Sequence, residues 1–147
     1  MQYAKTSDDV RIAYISLGDG PPLVFASNIF GDAHNYRVRW PHVRVVTDSL
    51  VGLGWRVVRY DHRGMGSSDR NVEDVSLSGR VRDLAAVVGA LGFSRFALAG
   101  VDIGAATAVA YTASHGRVVS DDTGDPLRTA RRARSCRRCR TGPDRRR

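Results

Sequence analysis

The sequence has little that would staple it together or hold it in a membrane. Its 147 residues include two cysteines, two methionines and two tryptophans, and no apolar run approaches the roughly 18–20 residues that span a bilayer. The opening Met1-Gln2-Tyr3-Ala4-Lys5-Thr6 lacks the apolar stretch of a signal peptide, so the expected compartment is the cytoplasm. Cys136 and Cys139 form one C-x-x-C, with no second cysteine or histidine pair to complete a zinc site. Two solvated thiols are the expectation, with a redox pair or half a metal site as the alternative. No metal and no cofactor is expected.

The formal net charge is +8, but it is unevenly placed. Residues 1–116 hold 12 Lys/Arg against 11 Asp/Glu, a balance of +1, whereas residues 117–147 hold 11 Arg and no Lys against 4 Asp, a balance of +7. Basicity therefore belongs to the tail. Two units follow: 1–115, with an ordinary apolar content for one core, and 116–147, rich in arginine.

Over the first unit short apolar runs alternate with helical periods, which predicts strands interleaved with helices. Val10 to Ile15 alternates as a strand, residues 18–22 are turn chemistry, and Leu23 to Ala26 reads as a buried strand followed by a loop. Val43, Val46, Leu50 and Leu53 are spaced as one face of a helix stopped at Gly54, and Trp55 to Tyr60 is the next strand. After a polar loop from Asp61 to Asp74, Leu77, Val81, Leu84, Val88 and Leu91 form the apolar face of a second helix, with Ser76 as its N-cap and Gly92 as its terminator. Phe93 to Ala99 predicts a third buried strand, and Ala105 to Ala113 an alanine-rich helix. Strands joined by helices in this way run parallel with right-handed crossovers, so the expected class is α/β, a mostly parallel sheet with helices on both faces.

The third strand runs into Gly100-Val101-Asp102-Ile103-Gly104. Glycines two before and two after the central residue permit a sharp strand-to-helix turn that lifts that residue to the carboxyl end of the sheet. Ahead of it lies Asp61-His62-Arg63-Gly64-Met65-Gly66-Ser67-Ser68. Together these resemble the nucleophile elbow and the D-x-R-G-x-G-x-S loop of the α/β-hydrolase fold superfamily, and with the opening turn and strand the resemblance covers about residues 1–115. The segment from Tyr3 to Tyr14 is also similar to hydrolase-like domains attached to signalling cyclases.

An aspartate in the elbow resembles the epoxide hydrolase and haloalkane dehalogenase branch. That resemblance implies Asp102 as nucleophile, with Gly100 and Gly104 shaping the elbow. It also implies the Ile103 N–H as one oxyanion donor and the loop at Asn28 as the source of a second. A carboxylate can displace an alkoxide or halide at saturated carbon, and the resulting ester is then hydrolysed by water that a histidine activates. The other reading of Asp102 is an ionised cap on the following helix. Arg63, Ser67 and Ser68 read as structural groups of their loop, and Asp61 as a turn former. The chain departs from that branch at Val101 where histidine is common, at Ile103 where many dehalogenases carry tryptophan, and at Ser27-Asn28 where relatives carry His-Gly. Loss of the tryptophan N–H favours epoxide-like or ester-like substrates over halides.

In this family the acid and the histidine follow the nucleophile on later loops. His34, His42 and His62 precede Asp102, and His115 follows at the far end of the next helix. The expectation is a truncated, inactive N-terminal portion of a hydrolase for a small organic substrate. A non-catalytic interaction module paired with a complementing C-terminal half is the alternative, and no membrane partner is expected.

Val118, Val119 and Leu127 are the large apolar residues of the tail, too few for a core, so disorder is expected there. Its change of composition resembles an out-of-frame reading of a GC-rich gene; the competing reading is an arginine-rich surface for nucleic acid or another polyanion. The first predicts that the hydrolase pattern resumes in another frame of the downstream nucleotides. Salt-sensitive DNA binding lost on deleting residues 117–147 would support the second.

Overall fold

The computed structural model describes residues 1–26 and 33–115, with backbone alone at Arg37 and Val38. Asn28, both cysteines and the basic tail lie outside the described residues. The elements are β1 (Gln2–Lys5), β2 (Arg11–Leu17), β3 (Pro22–Ala26), α1 (Tyr36–Arg39), α2 (Pro41–Gly52), β4 (Arg56–Tyr60), α3 (Leu77–Leu91), β5 (Ala97–Gly100) and α4 (Ile103–His115).

The strands form one sheet in the order β1-β2-β4-β3-β5. β3 pairs in parallel with β4 and with β5, while β2 is antiparallel to both β1 and β4. β2 alone runs against the other four. The sheet is thus mixed, because β1 and β2 are joined by a turn, not by a helix, and a direct turn can only reverse the chain. β1 itself was not anticipated from the pattern; four residues carry too little alternation to stand out.

Alternation along the strands divides the apolar side chains between two faces. Ile12 and Tyr14 of β2, Val24 of β3, and Val58 and Tyr60 of β4 meet Leu84, Val87 and Val88 of α3, Tyr111 of α4 and Phe96 in one cluster. Val57 points the other way and is also fully buried, where α2 lies against β4. Helices accordingly flank both faces.

Ser76 caps α3, its hydroxyl accepting from the Gly79 N–H at 3.2 Å, and the helix ends at Gly92. In α2 the inward face differs from the expected one: Thr47 is fully buried and Val43, Leu50 and Val51 are half-buried, while Val46 and Leu53 are 52% and 46% exposed. Threonine can take the central place because its hydroxyl donates to the Val43 carbonyl at 2.8 Å, so burial does not leave that hydroxyl unsatisfied. β5 starts at Ala97, later than expected, since Phe93 and Phe96 belong to the turn after α3, where Phe96 packs 6.2 Å from Tyr111. No helix among the described residues is long and apolar enough to cross a membrane.

Candidate active site

β5 ends at Gly100 and α4 begins at Ile103, so two residues reverse the chain. The turn is closed by the Gly104 N–H donating to the Val101 carbonyl and the Ala105 N–H donating to the Asp102 carbonyl, both at 3.0 Å. A Cβ at Gly100 would lie 2.5 Å from the Gly104 oxygen and 2.8 Å from the Ala105 Cα, so only glycine lets the helix cross the strand end this closely. At the apex Asp102 has φ +53°, the left-handed region that costs a side chain-bearing residue roughly 1–2 kcal/mol.

The Asp102 side chain is exposed, and among the described residues its carboxylate takes part in no hydrogen bond. A helix N-cap has extended φ/ψ and its side chain accepts from a first-turn N–H; Asp102 has a positive φ, and its side chain accepts no such bond. Ile103 opens α4, and its N–H is among the first-turn donors that an α-helix leaves without an internal partner. Ala26, the last described residue before the loop with Asn28, sits opposite Gly100 in the β3–β5 register. Gly100, Asp102 and Ile103 are thus together at the carboxyl end of the parallel strands.

The loop after β4 surrounds this end with buried polar groups. Asp61 is fully buried, and its carboxylate accepts from the Ala33 N–H at 2.6 Å and the Ser67 N–H at 2.9 Å. Gly66, at φ +52°, passes so close to that carboxylate that any Cβ would overlap it. The Ser68 hydroxyl donates to the Asp61 carbonyl at 2.7 Å and accepts from the Ala13 N–H at 2.9 Å, which ties the loop to β2.

Arg63 is buried as well. Its Nε donates to Asp83 at 2.8 Å, its two terminal nitrogens to Asp8 at 2.7 and 3.0 Å, and one of them also to the Asp74 carbonyl. Burial works to lower the Arg63 pKa, but the hydrogen bonds to Asp8 and Asp83 outweigh it and the guanidinium is held charged. The same contact holds the Asp8 carboxyl far below the usual carboxylate range. Hydrogen bonds from Ser76, then from Arg82, lower Asp74 to about 2. Burial pushes Asp83 up against the opposing pull of Arg63.

On the other face Arg59 lies between two rings, 5.6 Å from that of Phe25 and 5.5 Å from that of Tyr36, with its pKa lowered by burial. Asp8, Asp83 and Arg59 did not emerge from the sequence pattern. Arg59 had a local signal, a charge inside the strand Arg56-Val57-Val58-Arg59-Tyr60. The acidic partners of Arg63 are 55 and 20 residues away and had none.

Among the described residues no histidine hydrogen-bonds to Asp102. His62 is buried edge-on to Tyr60, His42 lies edge-on to Trp40, and His115 stacks on Tyr111 at 4.1 Å at the last residue of α4, about 20 Å along the helix at 1.5 Å per residue. Among the described residues no group of three or more His, Cys, Asp or Glu is placed to hold a metal ion.

The strained apex predicts that Asp102→Gly is more stable than Asp102→Ala by about 1 kcal/mol, because only glycine relieves the positive φ. Equal urea midpoints for the two variants would show that no strain is stored there. Asp8 titrates lower in the folded state than in the unfolded chain, so the stability it contributes is full above about pH 4 and is lost as pH falls. The stability difference between the native chain and Asp8→Asn therefore narrows below pH 4 and keeps narrowing to pH 2. A difference constant over that range, measured by chemical denaturation, would contradict the assignment of the Asp8–Arg63 pair.

Known proteins share this fold. The family model described as alpha/beta hydrolase fold matches residues 21–125. The AB hydrolase superfamily protein YisY of Bacillus subtilis is 29% identical over 113 residues, 77% of this chain and 40% of that protein. Among solved structures, an esterase from Exiguobacterium antarcticum superposes with a TM-score of 0.69 at 21% identity, over 80% of this chain and 41% of its own. The epoxide hydrolase VrEH1 from Vigna radiata superposes with a TM-score of 0.68 at 19% identity, over 80% and 37%. At such identities the two structures speak for the fold alone, and this chain spans about two-fifths of the length of each of these relatives. Matched over most of its length, the chain belongs to the α/β-hydrolase family.

Proposed function

We propose that Asp102 is the nucleophile of a hydrolase for a small organic substrate, epoxide-like or ester-like, and that this chain alone does not turn over. The observation that carries this reading is the Asp102 apex: an exposed carboxylate without a hydrogen-bond partner, held at φ +53° where glycine would cost less. Strain kept in place by surrounding packing is characteristic of reactive positions, and open α/β sheets bind ligands at the carboxyl ends of their strands.

With an epoxide, a carboxylate oxygen of Asp102 attacks a ring carbon, the C–O bond of the ring breaks, and the alkoxide formed takes a proton from water. The product is a hydroxyalkyl ester on Asp102. Its hydrolysis needs water activated by a general base, and no histidine of the described residues hydrogen-bonds to Asp102. The ester is therefore expected to persist. Ile103 supplies a backbone N–H to the later tetrahedral intermediate but no side-chain N–H for a departing halide, which favours epoxides over haloalkanes.

Incubation of the purified chain with styrene oxide, followed by peptide mass spectrometry, is expected to find one adduct on the peptide containing Asp102, absent in Asp102→Asn. Labelling spread evenly over other carboxylates would refute the nucleophile. Steady epoxide or ester hydrolysis that Asp102→Ala abolishes would refute the lack of turnover.

A further inference from the structure

Polar side chains also converge at the end of the sheet away from the elbow. Where β4 starts and β2 closes lies a cavity of about 420 Å³, lined by Gln2, Tyr14, Ser16, Asp19 and Arg56 among others. It belongs to β1, β2 and β4, on the side of the sheet opposite to β5. Its volume is within the roughly 300–1,000 Å³ of small-molecule sites.

The strand register puts four of these polar groups on one face. Gln2 stands opposite Tyr14 and Ser16 opposite Val58. Tyr14 and Ser16, two apart in β2, therefore share a face with Gln2, and Arg56, two before Val58, joins them. That face is the α3 side, where Tyr14 and Val58 belong to the buried apolar cluster.

Arg56 is held in one orientation there. Its Nε donates to the Ser16 hydroxyl at 2.8 Å, and its guanidinium carbon lies 5.1 Å from the centre of the Phe93 ring. Among the described residues its two terminal nitrogens donate no hydrogen bond and form no ion pair, and they are open to solvent.

Tyr14 adds a second group of this kind. Only 6% of the residue is exposed, yet among the described residues its hydroxyl takes part in no hydrogen bond and is not sealed from solvent. A buried tyrosine hydroxyl ordinarily finds a partner, and the cavity is where Tyr14 reaches solvent. Ser16, whose oxygen accepts from Arg56, keeps its own O–H to donate. The cavity is therefore rich in donors. Its one carboxylate is that of Asp19, on the exposed rim. The turn carrying Asp19 is rigid, because Gly18, at φ +81°, and Gly20 press on the backbone of Trp55 and Gly54 where any Cβ would overlap.

We propose that this cavity binds a small organic monocarboxylate, gripped by the terminal nitrogens of Arg56 and by the Tyr14 and Ser16 hydroxyls. A planar guanidinium presents paired N–H groups that match both oxygens of a carboxylate. Asp19 sets the charge of the ligand: one anion beside one cation accepts a single negative charge and repels a dianion such as phosphate. The site is separate from the elbow, since β4 runs from Arg56 to Tyr60 between the two ends of the sheet, roughly 13 Å at 3.3 Å per residue. The inference stands apart from the reading of Asp102 as nucleophile.

The test is titration of the isotope-labelled full chain with benzoate, followed by NMR. Saturable shifts are expected at the amides of residues 15–19 and at the Arg56 Nε–H, with a Kd of about 1 mM, and none at residues 100–104. Arg56→Gln should weaken binding about tenfold and Tyr14→Phe about threefold. Tyr14→Phe keeps the ring in the apolar cluster and should melt as the native chain does, which separates lost binding from lost folding. Benzamide, which lacks the charge, and inorganic phosphate should each bind about tenfold more weakly than benzoate. Absence of saturable shifts overturns the proposal, as do shifts centred on residues 100–104. Benzamide or phosphate binding as tightly as benzoate also overturns it, and so does benzoate binding that Tyr14→Phe leaves unchanged.

Discussion

The contact between Arg63 and Asp83 is the constraint around which the upper half of the molecule is arranged. Both side chains are buried, with 1% and 0% of their surface exposed, and a buried ion pair that loses one partner costs roughly 3–5 kcal/mol. One aspartate cannot satisfy all the donors of a guanidinium. Asp8 from the turn between β1 and β2 and the Asp74 carbonyl ahead of α3 take the others. Arg82 closes the group by donating to both Asp8 and Asp74. A single desolvated cation therefore brings three stretches of chain, distant in sequence, to one point.

That point fixes the loop after β4, and the loop fixes its surroundings. Asp61 grips the Ala33 N–H and Ser68 the Ala13 N–H, while Asp69 accepts from the backbone and side chain of Arg11. The carboxyl end of the sheet is thus framed by hydrogen bonds to backbone groups, which cannot slide without exposing a buried carboxylate. Against this frame the elbow can hold Asp102 in a conformation it would otherwise leave. The strain of the left-handed apex is small beside the network that surrounds it.

Most of the fold was legible because it follows periodic signals. The α3 span and its Ser76 cap, β3, β4 and the glycine-flanked elbow are all local patterns and stand where they were expected, whereas β5 starts four residues late. What the sequence did not disclose depends on pairing at a distance. β1 is defined only by its register with β2, and α2 turns Thr47 inward because its hydroxyl is satisfied by its own helix. The structural reading of Arg63 came from its loop, but Asp8 and Asp83 are ordinary surface-type residues until the fold brings them to it. At the candidate site the position of Asp102 followed from glycine spacing, whereas its left-handed φ and its lack of a capping bond are properties of the folded turn.

The open edge of β5 and the Asp102 apex adjoin each other in the chain. Parallel strands end on the same side of a sheet, and their following loops cluster there. The loop after β4 therefore lies at the same end of the sheet as Asp102. Val101 is exposed beside the elbow, so water reaches the Asp102 carboxylate from that side. The apex thus holds a strained, exposed carboxylate beside the first-turn N–H donors of α4.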